Sequence, residues 1–219
     1  MSSMAAQSAP VASEKTFSVL QSMAIILLAL TVFAASGVLI GKKFFWHENL
    51  DQARIDQQLT FYEAKVKADP KVPENRVNLG YTYYLKNDYD SAIREFKMAA
   101  QLDPTYYQAY YNMGLVYKDQ KKWDDALEVF AKSAKMAPRD YKNFMQMGIV
   151  YSEMGKYQDA FKALNAANRE EPGNADVLYY IGVAAEKSGD KKGAADMYKQ
   201  ALQYDPNYKD AQKALDKLK

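Results

Sequence analysis

Cysteine and histidine, on which nucleophile-plus-base catalysis and zinc binding most often depend, are scarce in this chain. Its 219 residues include no cysteine and a single histidine, His47. Catalysis by an activated nucleophile needs a second group that acts as a base, and a zinc site needs several histidine or cysteine ligands. The carboxylate pairs Asp124–Asp125 and Glu170–Glu171 lie at predicted helix ends, where such groups face the helix dipole or solvent. We therefore predict that the chain is not an enzyme and holds no cofactor or metal.

Side chains suited to binding are far more abundant than side chains suited to catalysis. The sequence has 18 tyrosines and 10 methionines, and tyrosine combines a large apolar ring with a polar tip that suits protein interfaces. Charge is nearly balanced, with 29 basic and 27 acidic residues. Because nucleic-acid binding depends on concentrated positive charge, this balance argues against a nucleic-acid partner. The composition favours a protein or peptide partner instead.

A fixed interval of 34 residues reveals the elements that must position these side chains. Proline recurs at this interval five times, and glycine and alanine four times each. The positions are Pro70, Pro104, Pro138, Pro172 and Pro206; Gly80, Gly114, Gly148 and Gly182; and Ala92, Ala126, Ala160 and Ala194. Such a period indicates an array of equal structural units, each stacked on its neighbours.

Each unit has the pattern of two antiparallel helices. In the second unit, apolar residues recur at helical spacing on both sides of a polar break at 119–122. Pro138 then ends the second helix, since proline lacks the amide hydrogen. Gly114 lies inside the first helix, where glycine costs about 1 kcal/mol relative to alanine. We interpret it as a point of close helix contact opposite Ala126. A heptad coiled coil is excluded, because the period is not a multiple of seven.

The pattern as a whole resembles the tetratricopeptide repeat. The second unit carries the signature of that family as Tyr110, Met113, Gly114, Tyr117, Ala126, Phe130, Ser133 and Pro138, and the third as Phe144, Met147, Gly148, Tyr151, Ala160, Leu164, Ala167 and Pro172. The resemblance implies an all-α fold, a right-handed superhelical solenoid of antiparallel helix pairs. It places four repeats at 73–106, 107–140, 141–174 and 175–208, after a half repeat that ends at 72 and before a capping helix at 209–219.

In this family the first helices of the repeats line a groove, and the resemblance implies which residues do so here. We select nine of them as the partner-binding groove: Tyr81, Tyr84, Tyr111, Asn112, Lys118, Met145, Gln146, Tyr179 and Tyr180. Their aromatic and apolar members would hold an extended or helical peptide, and Asn112, Lys118 and Gln146 would supply hydrogen bonds. The five-residue carboxylate clamp of chaperone-binding members is matched only at Asn112 and Lys142, so that function is not predicted.

The N-terminal part predicts a membrane anchor. After a short disordered tail at 1–17, residues 18–41 have no charged side chain and are numerous enough to cross the roughly 30 Å hydrocarbon layer as a helix. Lys42, Lys43 and three aromatic residues follow, as at a membrane interface. A cleaved signal peptide is the alternative, with a cleavage site at 32–34. Residues 42–72 predict a juxtamembrane helix, which packs one face on the first repeat through Ile55, Leu59, Tyr62 and Val66.

Two features of the anchor stay open. The flanking charges favour repeats on the cytoplasmic side, whereas a short N-terminal tail before an anchor usually leads to export in bacteria. We expect a single-pass protein of the bacterial cytoplasmic membrane with the side of the repeats undetermined. Gly37 and Gly41 form a pair that could bring two copies into a homodimer, although no other feature supports one.

These observations together predict a non-enzymatic, membrane-anchored scaffold that binds a protein or peptide in the groove. The alternative is a structural or assembly-factor subunit of a fixed membrane complex, which would make its contacts through the convex face or through the anchor.

Overall fold

The computed structural model describes residues 47–218, with side chains from Asp51 onward. Within this range it contains ten α-helices and no strand. Their bounds are α1 His47–Ala68, α2 Pro73–Leu85, α3 Tyr89–Leu102, α4 Tyr107–Asp119, α5 Trp123–Met136, α6 Tyr141–Glu153, α7 Tyr157–Glu170, α8 Ala175–Ser188, α9 Lys191–Tyr204 and α10 Lys209–Lys217. Residues 54–219 form one compact unit, and all of the helix pairs lie in it.

Helices α2 to α9 form four antiparallel pairs, which we call repeats 1 to 4. The closest packing is within each pair, between its first helix (α2, α4, α6 or α8) and its second helix (α3, α5, α7 or α9). Each second helix also packs on the first helix of the next repeat, and α10 packs on α9 in the same manner. The predicted all-α solenoid of helix pairs is therefore confirmed, whereas its right-handed superhelical sense stays a prediction.

The ends of the helices follow from the repeated residues. Every second helix stops two residues before the repeated proline, at Leu102, Met136, Glu170 and Tyr204. Each turn within a pair contains one residue with positive φ, and these residues are 34 apart: Asn87, Lys121, Gly155 and Gly189. Asparagine and glycine adopt this left-handed conformation at low cost, whereas lysine does so rarely.

The repeated glycines permit close packing within each pair, as predicted, but the nearest group is not the one expected. A β-carbon on Gly114 would lie 2.5 Å from the Phe130 ring, and one on Gly80 would lie 2.7 Å from the Phe96 ring. The repeated alanine is farther away: the carbonyl oxygen of Ala92 lies 3.2 Å from the β-carbon that would be added to Gly80. The glycine thus makes room for a large side chain on the second helix.

Neighbouring repeats meet through small buried side chains at one register. Hydrophobic clusters join Ala99 with Ala109 between repeats 1 and 2, and Ala167 with Val177 between repeats 3 and 4. A third cluster joins Ala201 to Ala211 on α10. At the junction of repeats 2 and 3 the corresponding residues are polar, namely Ser133 and Asn143, and both have no exposed surface.

Helix α1 contacts the first repeat along one side. Its residues Ile55, Leu59, Tyr62 and Val66 are half-buried, whereas the rest of the helix from Asp51 is exposed. The Tyr83 hydroxyl donates a hydrogen bond to Glu63 at 3.1 Å, and Lys86 forms an ion pair with Asp56. The half-buried face is the one that the sequence predicts.

The predicted tail at 1–17, the membrane span at 18–41, the residues 42–46 of the juxtamembrane segment, and the pair Gly37 and Gly41 lie outside the described residues. Among the helices that are described, none is both long enough and apolar enough to span a bilayer.

Candidate functional site

The first helices of the four repeats present one common face, which we call the first-helix face. Its most regular feature is a row of apolar side chains at intervals of 34: Tyr81, Leu115, Ile149 and Val183. Each member keeps part of its surface open. Tyr81 is 42% exposed, whereas Leu79, two residues earlier on the same helix, is 5% exposed and faces the core. This apolar row supplies the surface on which apolar groups of a partner could be buried.

A second row, made of side-chain carboxamides, lies beside the apolar row. Asn78, Asn112 and Gln146 each precede an apolar-row residue by three positions, so the two rows are neighbours on the helix surface. A carboxamide can donate and accept at once, as a peptide backbone does. The Asn112 Nδ2 group donates to the Gln108 carbonyl at 2.8 Å, and Gln146 Oε1 accepts from Lys118. The oxygen of Asn112 is an acceptor suited to a partner N–H.

Polar contacts between successive first helices cross this face. The Tyr84 hydroxyl on α2 donates to Asp119 on α4 at 2.6 Å, and the Lys118 ammonium on α4 donates to Gln146 on α6 at 2.9 Å. Lys187 on α8 then forms an ion pair with Glu153 on α6 at 2.7 Å. Each junction between two repeats therefore has at least one side-chain link on this face.

Burial changes the proton affinities of several of these groups. Burial raises the pKa of the Tyr84 hydroxyl well above its ordinary value, and the bond to Asp119 adds to the effect. The pKa of Tyr111 rises to about 12, mainly through burial and secondarily through Asp140, while a hydrogen bond with Gln146 acts in the opposite direction. Burial lowers the pKa of Lys118, against an attraction from Asp119. The tyrosines therefore act as neutral hydrogen-bonding groups at neutral pH.

The nine residues selected from the sequence differ in how accessible they are. Tyr81 is exposed, and six are half-buried: Tyr84, Tyr111, Asn112, Lys118, Tyr179 and Tyr180. The other two, Met145 and Gln146, are each only 9% exposed. Met145 packs into a cluster with Leu164 and Ile181, between repeat 3 and α8. Its register therefore faces a neighbouring repeat more than it faces the groove, and Val77 at the same register is 7% exposed.

The tyrosines of repeat 4 pack against the C-terminal helix. The Tyr179 ring centroid lies 5.2 Å from that of Tyr180 and 5.2 Å from that of Tyr208, directly before α10. Ala214 and Lys217 of α10 share a surface depression with Tyr179 and Val183. Helix α10 thus occupies the place that the first helix of another repeat would take, and the more open part of the face belongs to repeats 1 to 3.

The sequence-based choice of nine residues left out four that the structure places in the two rows. Leu115, Ile149 and Val183 continue the apolar row from Tyr81, and Asn78 begins the carboxamide row. The 34-residue interval alone relates them to Tyr81 and Asn112. The resemblance to the repeat family also directs these four into the groove by register, but the selection by residue type, which favoured tyrosine, did not include them.

Three profiles of known protein families match the chain. One described as TPR repeat matches residues 80–121, and two described as tetratricopeptide repeat match residues 107–140 and 145–209. Together these matches take up more than half of the 219 residues. No curated protein matches the chain.

Several solved structures are similar over most of the described region. The structure of MamA is 25% identical with a TM-score of 0.61, over 75% of this chain and 95% of that one. A thermophilic TPR protein of Thermus thermophilus is 21% identical with a TM-score of 0.67, over 78% and 93%. YrrB, described as a TPR protein with an unusual peptide-binding site, is 21% identical with a TM-score of 0.59, over 75% of this chain and 84% of that one. These likenesses show the fold.

Proposed function

Since this chain belongs to the tetratricopeptide repeat family, we propose that it is a scaffold without catalytic activity that binds a protein or peptide partner on its first-helix face. The observation that carries the proposal is the pair of parallel rows on that face. One row is apolar and partly open, and the other has one carboxamide in each of repeats 1 to 3, of which Asn78 and Asn112 are half-buried and Gln146 is buried.

The two rows suit an extended segment of polypeptide. Alternate side chains of an extended segment point to opposite sides, so one set of them can rest on the apolar row. The backbone of the segment then has carboxamides within reach in successive repeats. Burial of apolar side chains would provide most of the affinity, and the hydrogen bonds would fix the direction and register. Within the proposed site, Tyr81, Leu115 and Ile149 are the main contacts, with Tyr84, Tyr111, Tyr179 and Tyr180 at the margins.

We also propose that residues 18–41 anchor the repeats in a membrane, and that this is the cytoplasmic membrane of a bacterium. The support is the uncharged apolar stretch and the basic and aromatic residues that follow it. Anchoring would raise the effective concentration of the scaffold near partners at the same membrane.

Polar substitution of the apolar row tests the binding proposal. The full-length chain is purified in detergent and used to select binders from a phage-displayed library of random peptides. Peptides selected on the wild type should bind the triple variant Tyr81→Gln, Leu115→Gln, Ile149→Gln about 100-fold more weakly, since central apolar contacts each contribute on the order of 1 kcal/mol or more.

A matched variant separates loss of the site from a general loss of surface hydrophobicity. Phe61, Val72 and Leu102 are exposed apolar residues outside the first-helix face, with 55%, 39% and 40% exposure. Their triple substitution by glutamine should leave binding within about twofold of wild type. Equal weakening in both triple variants, or undiminished binding in the first, would place the site elsewhere. The helical content of each variant is checked by circular dichroism.

A further inference from the structure

Only three basic side chains among residues 51–218 are not exposed: Arg76, Lys86 and Lys118. Arg76 forms an ion pair with Glu95 at 2.9 Å, and Lys86 forms one with Asp56. Lys118 forms no ion pair with any carboxylate of the described residues. Since a charge removed from water is costly unless it is paired, Lys118 differs from the other two in forming no ion pair, although the neighbouring Asp119 attracts it.

The ammonium group of Lys118 is held in place by a neutral neighbour. Among the described residues its one hydrogen bond goes to Gln146 Oε1 at 2.9 Å, across the junction between repeats 2 and 3. An ammonium has three N–H donors, so two of them are available to a ligand. Burial lowers the pKa of this group, which indicates that the charged form lacks the stabilisation that water would give it.

The acidic residues nearest in sequence and register are already engaged. Asp119 follows Lys118 directly, but its Oδ2 atom accepts the 2.6 Å hydrogen bond from Tyr84. Glu153, at the corresponding place in repeat 3, is paired with Lys187 at 2.7 Å. The first-helix face therefore has a half-buried cation near its centre, which Asp119 attracts but which forms no ion pair with the described carboxylates.

We propose that Lys118 receives a carboxylate of the partner, supplied by an aspartate or glutamate side chain of the bound segment. The inference rests on the proposed function, because it names the chemistry of a ligand for the same face. Leu115 lies three positions before Lys118, and Ile149 lies three positions after Gln146, so apolar-row residues flank the cation. The segment that fits is an extended peptide in which an acidic residue lies between apolar residues.

A comparison of matched peptides on matched variants tests this inference. Random peptides are selected on the full-length wild-type chain, and the affinity of each selected peptide is compared with that of its Glu→Gln or Asp→Asn counterpart. We expect the selected peptides to be enriched in an acidic residue. The neutral counterpart of each should bind more weakly by about tenfold or more. This is the effect of one hydrogen bond to a charged group.

The difference between acidic and neutral peptides should depend on Lys118. It should fall below about twofold on Lys118→Gln and persist on Lys118→Arg, as a double-mutant cycle requires if the two groups interact. Lys135→Gln removes the same charge from an exposed position on α5 and should leave the tenfold difference intact. Circular dichroism confirms that each variant is folded.

The possible failures can be told apart. Selected peptides without an acidic preference, or a preference that survives in Lys118→Gln, would overturn the carboxylate inference and leave the binding face in place. If the preference for acidic peptides were lost equally in Lys135→Gln, it would reflect net charge alone, and the carboxylate inference would also be overturned. Failure to select any peptide that distinguishes the wild type from the apolar-row triple variant would overturn both the proposed function and this inference.

Discussion

At the residue scale, Asn143 is a polar residue at a repeat position that otherwise carries small apolar residues. The equivalent positions carry Ala109, Val177 and Ala211, all fully buried, whereas Asn143 brings an amide into the same place. Neither its Nδ2 nor its Oδ1 atom has a hydrogen-bond partner among the described residues. A buried polar group without a partner keeps the whole cost of its desolvation. The 34-residue interval identifies the position, but only the packed structure shows that the amide is left unpaired.

Replacing Asn143 by valine, the residue at the equivalent position of repeat 4, should stabilise the array. We expect a gain of about 1–2 kcal/mol in the free energy of unfolding, because the unpaired amide is removed and an apolar side chain fills its space. Chemical denaturation followed by circular dichroism measures the change. Asn165→Val on the exposed surface of α7 is the control and should change stability by less than about 0.5 kcal/mol. Destabilisation by Asn143→Val would show that the amide is paired.

At the element scale, the sequence predicts the helices well because local rules determine them. The repeated prolines, the turn residues and the apolar spacing give four pairs, a half repeat and a capping helix. The observed ends at Leu102 and Tyr204 agree with these rules. The exposure of the selected site residues could not be predicted, because it depends on how the repeats stack. Met145 is covered by α8, Tyr179 packs beside α10, and the hydrogen bond between Lys118 and Gln146 joins residues 28 apart in sequence.

At the scale of the whole molecule, the chain combines an array of helix pairs with a proposed anchor. The anchor is tested with cells that make the full chain. Their membranes are isolated and extracted with alkaline carbonate. A helix that spans the bilayer stays in the membrane pellet, whereas a peripherally bound protein is released. A variant without residues 18–41 should appear in the supernatant. Release of the full chain, or retention of the deletion variant, would contradict the anchor.

The central claim is that the partner lies along the first helices, and site-specific photo-crosslinking tests it most directly. A photoreactive amino acid is placed on the first-helix face, at Glu74 or Lys142, or on second helices, at Lys97 or Lys132. All four residues are exposed, so the label should not disturb the fold. A peptide selected on the wild-type chain should crosslink from Glu74 or Lys142 and not from Lys97 or Lys132. Crosslinking from the second helices alone would contradict the account and place the binding surface on the opposite side of the array.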